Sequence, residues 1–118
     1  MQYLLVKSNC NCMKTTDTYM FDSTDIEAVR VKLEIVLNRQ FIPHDSYHYG
    51  NYYLIKGGEC TGESLMLCQN IEFEGELHYP ALPSGCILLT VGSTAVAAKW
   101  QSVFEGLGAK RIEHKQHD

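Results

Sequence analysis

Apolar residues recur along this chain in two distinct rhythms, and the two rhythms divide it into elements. Between Ile26 and Leu37 they fall at Ile26, Val29, Leu33, Val36 and Leu37. Steps of three and four trace one face of a helix. Asp22, Ser23 and Thr24 supply capping oxygens before it, and Thr24 with Glu27 has the capping-box spacing. Acidic Asp25 and Glu27 at the start and Arg39 at the end suit the helix dipole. Val31 and Ile35 lie off the main stripe, four apart, so this helix is expected to meet something on a second side. A second stripe runs through Val96, Trp100, Val103, Phe104 and Leu107. Ser93 is the expected N-cap there, and Gly108 the expected left-handed stop.

Elsewhere the pattern predicts strands. Residues 2–7 and 16–21 read as a hairpin joined through the turn-like stretch 8–15. Residues 52–56 form a strand that Gly57 and Gly58 end, and Ser64–Phe73 a longer one. The run Cys86 to Val91 is apolar on both parities, the mark of a central strand covered on both faces. Residues 109–114 supply a last strand. The predicted order is β-β-α-β-β-β-α-β. It places the chain in the α+β class: a mostly antiparallel sheet with two amphipathic helices packed on it. Both helices on one face leave the other sheet face in need of cover. The stretch from Val91 to Ala109 suits a crossover helix. A ferredoxin-like core with an added hairpin is one arrangement that meets these conditions.

Length and composition narrow the class further. A chain of 118 residues reads as one domain, spanning 1–118. At 45% hydrophobic and 20% charged it belongs with globular chains. Ten Lys and Arg against fourteen Asp and Glu give a net charge of −4. That argues against a broad nucleic-acid surface, which works by neutralising phosphates, and favours a basic partner. No run approaches the roughly 20 apolar residues of a membrane span. Residues 1–7 lack a signal peptide's basic region, so a cytoplasmic protein is expected. The odd count of five cysteines, Cys10, Cys12, Cys60, Cys68 and Cys86, does not suit a disulfide framework. Cys68 and Cys86, inside apolar strands, read as small core residues.

The most unusual stretch is 42–53. It holds four of the seven tyrosines and two of the five histidines. Tyrosine gives rigid contact area with a polar tip, so His44, Asp45, Tyr47, His48, Tyr49 and Tyr52 are the candidate partner- or ligand-binding residues. The structural alternative is a hairpin or strand edge with cross-strand aromatic pairs. His44 and His48 are four apart, but Pro43 and Gly50 argue against a helix there. On a strand they would stand about 13 Å apart, too far to share a metal. Adjacent strand residues face opposite ways, so His44 and Asp45 are a poor acid–base pair. The Cys10-x-Cys12 pair lacks the second pair that a zinc site needs. No metal, no other cofactor and no catalytic residue is assigned.

Ser93 at a helix start lacks a phosphate loop's glycines and lysine. The acidic stretch Glu72, Glu74, Glu76 reads as a solvated strand end or a contact for a basic partner. In the tail, Lys110, Arg111 and Lys115 suit a small anionic ligand and not a nucleic acid.

Two functions remain. The first is a small acidic, non-enzymatic binding protein that blocks or sequesters a protein partner, as inhibitors and immunity proteins do. The second is a small ligand-binding or enzymatic domain using the 42–53 stretch, with His44 or His48 as acid–base groups. The off-stripe Val31 and Ile35 also favour a homodimer.

Overall fold

The structure, a computed structural model, describes residues 14–47, 49–57, 63–72 and 74–117. These form one antiparallel six-stranded sheet with two helices: β1 (Lys14–Phe21), α1 (Ile26–Leu37), β2 (Ile42–Ser46), β3 (Gly50–Lys56), β4 (Ser64–Gln69), β5 (Ile87–Thr94), α2 (Ala97–Gly106) and β6 (Lys110–His117). The α+β class, with two helices on a mostly antiparallel sheet, is the one the periodicities predict. The predicted strand 2–7 and residues 8–13 of its turn lie outside the described residues, while Lys14 and Thr15, expected in the turn, already belong to β1.

The strand order is β2-β3-β4-β5-β1-β6. In β4-β5-β1-β6, β1 separates the parallel pair β5 and β6, and β5 separates the parallel pair β4 and β1. That is the split βαβ arrangement of ferredoxin-like cores, with the hairpin β2–β3 inserted after α1 and extending one edge.

Both helices pack on one face. Their buried residues Val29, Leu33 and Phe104 join Tyr19, Phe21, Ile55, Leu65, Leu67, Ile87, Leu89 and Val91 in a single core. Phe104 stands edge-on to Tyr19 at 5.2 Å and stacks on Trp100 at 5.3 Å. Strand β5 is central and apolar on both sides: Leu88 points away from the helices into a second cluster with Cys68 and Cys86. Both cysteines are buried and free. Burial pushes the Cys68 thiol up to about 12, with Cys86 adding to it, and burial raises the Cys86 thiol as well.

Several boundaries differ from the sequence expectation, each for a local reason. Asp25, not Thr24, caps α1; its side chain accepts the Ala28 N–H at 3.1 Å. Glu27 is instead drawn to Arg30 and to the Tyr53 hydroxyl. Arg39 lies beyond the helix and donates to the Lys56 carbonyl at 2.8 Å, tying α1's exit to β3. Ser93 is not a helix cap. Strand β5 runs on to Thr94 through a bulge, with Ser93 at φ 54 and its N–H donating to Thr16 Oγ1. Thr94 Oγ1 accepts the Val96 N–H, and α2 begins at Ala97. Val36 and Val96, placed on the buried stripes by spacing, are each 46% exposed. Gly108 takes the expected positive φ, at 95°.

Candidate functional site

Strand β4 ends at Gln69, four residues earlier than the alternation predicts, because Asn70 leaves the ladder to organise a loop. Asn70 is fully buried. Its Nδ2 donates to the carbonyls of Tyr79 and Pro83 at 3.1 Å, and its Oδ1 accepts the Tyr79 N–H at 2.9 Å. Its own carbonyl accepts the Gly85 N–H. One amide side chain therefore fixes the path of residues 71–86. That path folds Tyr79 and Leu82 over the sheet face opposite the helices, against Met20, Met66, Cys68, Leu88 and Ile112. The Tyr79 hydroxyl donates to Glu113 Oε1 at 2.5 Å, which closes the cover against β6. That bond holds the Glu113 carboxyl below its usual range; burial and the same bond raise Tyr79. The second sheet face thus obtains the cover that the sequence demanded but did not identify.

The other part of this cover comes from the β2–β3 hairpin. Residues 42–46, expected as connection, are an edge strand paired with β3, His44 opposite Tyr52 and Asp45 opposite Asn51. The Tyr49 N–H donates to Ser46 Oγ at 2.9 Å, and Gly50 takes φ 68 to re-enter the strand. Alternation sends Tyr53 towards the helices, where it meets Phe41 and Arg30. It sends Tyr52 and His44 to the opposite side, where their rings stack at 5.4 Å with an interplanar angle of 19°. Tyr49 follows at 5.7 Å from Tyr52. Burial raises the Tyr49 phenol.

Of the six residues singled out from sequence, the structure brings together His44, Tyr49 and Tyr52. Asp45 is exposed and on the other side of β2. Tyr47 sits at the hairpin turn, 73% exposed. His48 lies outside the described residues.

The sequence reading missed His78. Its ring lies 5.2 Å from that of Tyr49, and its Nδ1 lies 3.1 Å from Glu72 Oε2. Glu72 begins a tight turn in which its N–H donates to the Glu76 carbonyl and the Gly75 N–H donates to its own. Glu74 and Glu76 are exposed on that turn. The acidic stretch is therefore a turn, not a strand end, and His78 joins it to the aromatic row. No local pattern marks His78, which sits in an irregular loop.

Four rings in a row, His44–Tyr52–Tyr49–His78, end at the Glu72 carboxylate, on a turn that also carries the exposed Glu74 and Glu76. Aromatic faces are electron-rich, and nearby carboxylates add full negative charge, so this surface suits a guanidinium or ammonium group. Among the described residues no group of three or more His, Cys, Asp or Glu side chains is arranged to hold a metal ion. Cys10, Cys12 and Cys60 lie outside the described residues. Among the described residues, no helix is long and apolar enough to cross a membrane. No family model matches the chain, and neither a curated protein nor a solved structure matches it.

Proposed function

We propose that this chain is a non-enzymatic binding module that takes up a basic segment of a partner protein and thereby blocks or sequesters it. The observation that carries this reading is the link through His78, which puts the Tyr49–Tyr52–His44 row beside the Glu72–Glu76 turn. A cation over an aromatic ring gives about 0.5–1 kcal/mol when exposed and about 2 when desolvated. Exposed ion pairs give up to about 1. A micromolar complex needs about 8 kcal/mol net, so several Arg or Lys side chains must engage the row and the turn together. The net charge of −4 draws such a partner in. A cytoplasmic setting, where free thiols persist, goes with this reading.

The test is calorimetric titration of the whole chain with Arg/Lys-rich peptides, alongside a Tyr49→Ala/Tyr52→Ala variant checked for folding by circular dichroism. Saturable binding that the folded variant loses supports the module. Binding that the variant retains defeats it. Turnover of a small molecule that depends on His44 or His48 alone supports the ligand-binding or enzymatic alternative instead.

The reading includes a homodimer through α1. Val31 and Ile35 are 46% and 75% exposed and line a shallow concavity of about 300 Å³ with Glu34, Asn38, Arg39 and Gln40. Sedimentation should give a dimer that Ile35→Glu disperses; a wild-type monomer at high micromolar concentration counts against it.

A further inference from the structure

A second polar cluster lies on the opposite side of the sheet from the aromatic row. The helix-facing side of β1 reads Phe21, Tyr19, Asp17, Thr15, so its apolar character ends at a carboxylate. Asp17 is fully buried. An ionised carboxylate in such a place is costly unless paired. Both of its partners come from the edge strand β6: His114 Nδ1 at 2.6 Å from Oδ1, and Arg111 Nη1 at 3.7 Å from Oδ2. Opposite a carboxylate, His114 Nδ1 is the donor.

Residues three apart on a regular strand face opposite ways. Arg111 and His114 share a side only because β6 bulges. Thr18 pairs with Glu113 and the next residue, Tyr19, with Arg111, which leaves Ile112 as the extra residue. The same register sorts the charges. Glu113 and Lys115 pair with each other on the far side, and Lys110 stands opposite Met20 there. Of the three basic tail residues, only Arg111 accompanies His114. His114 hydrogen-bonds Asp17, whereas Arg111 stands at ion-pair distance from it, and the two side chains remain 35% and 27% exposed. Asp17 Oδ2 and, two residues along, the buried Thr15 hydroxyl have no hydrogen-bond partner among the described residues.

We propose that Arg111 and His114, held from behind by Asp17, form a binding site for a small oxyanion, a phosphate or a carboxylate group. A guanidinium offers a planar fork of N–H donors that matches such a group, and the imidazole adds Nε2. Asp17 orients His114 through a hydrogen bond, draws the Arg111 guanidinium by charge, and balances the positive charge of the pair. Stability alone does not call for this arrangement, because well-packed apolar residues in place of a buried ion cluster are often as stable or more so.

The test is nitrogen-15 NMR of the whole chain, following the His114 and Arg111 side-chain signals during titration with inorganic phosphate and, separately, with acetate. Saturable shifts at both residues in either arm are the expected result, and the arm that saturates identifies the group. Arg111→Gln should weaken binding about tenfold. Lys115→Gln, on the other side of the strand, should leave it within about twofold. If Arg111→Gln fails to fold by circular dichroism, His114→Gln takes its place with the same expected loss. Absence of a saturable shift with either anion overturns the proposal. So does equal weakening by the Lys115 variant, the signature of a diffuse field.

Discussion

The two faces of this sheet are closed by different means. On one, two amphipathic helices bring Val29, Leu33 and Phe104 onto apolar strand residues, and the core is held by area and shape. On the other, a loop and a hairpin tip bring Tyr79, Leu82, Tyr49 and Tyr52 over Cys68, Cys86 and Leu88. This cover is held largely by a few directed polar contacts, chiefly from Asn70 and the Tyr79 hydroxyl. A face closed by area tolerates little loss of volume. A face closed by polar anchors fails when one anchor fails, and it leaves rings half-exposed and free to serve recognition.

Substitutions can test that contrast directly. Phe104→Ala should be the most damaging, removing about 3–5 kcal/mol in urea unfolding, because it empties the meeting point of α2 with Tyr19 and Trp100. Asn70→Ala, a far smaller change in volume, should still cost about 3 kcal/mol, since it orphans the Tyr79 N–H and the carbonyls of Tyr79 and Pro83 that the amide satisfies. Hydrogen exchange should then rise at Tyr79 and Gly85 before it rises in β5. An even increase across the sheet would show that the two faces are not separable.

Tyr79→Phe should cost about 1 kcal/mol near neutral pH, the hydroxyl's bond to a partly exposed carboxylate. The sign of its pH dependence follows from Glu113. A carboxyl held low in the folded state contributes stability above its unfolded range, lost as pH falls through the folded one. The wild type should therefore lose this increment on acidification, and the Phe variant should have none to lose. The smallest effect concerns the thiols. With burial holding Cys68 at about 12, alkylation at neutral pH should be slow in the native protein, and faster in Asn70→Ala without any change at Cys68 itself. Rapid native labelling of Cys68 would contradict a closed second face.

The candidate site was legible in parts. The density of Tyr and His at 42–53 and the carboxylates at 72–76 both stand out in the sequence, as separate features. That they belong together depends on His78, whose position is set by Asn70 closing the loop around Tyr79. Hydrogen bonds from a buried amide to main-chain groups 9 to 13 residues away leave no periodic trace. The Asp17–His114–Arg111 cluster was hidden for a similar reason. Its members lie almost a full chain apart, and the bulge at Ile112 reverses which basic residues share a side. Ser93 misleads in the other direction: it has a helix cap's chemistry but serves a strand bulge, because Thr16 offers its N–H a partner.

The sequence by itself determined the class, both helices with their main buried residues, the central place of 86–91, and the need for cover on a second face. These follow from alternation and helical spacing, which are local and repeat along the chain. The tertiary structure decided what supplies the cover, which aromatic side chains share a side with the acidic turn, and where a buried carboxylate finds its partners. Those depend on register, bulges and single polar contacts between distant residues, and such contacts obey geometry, not period.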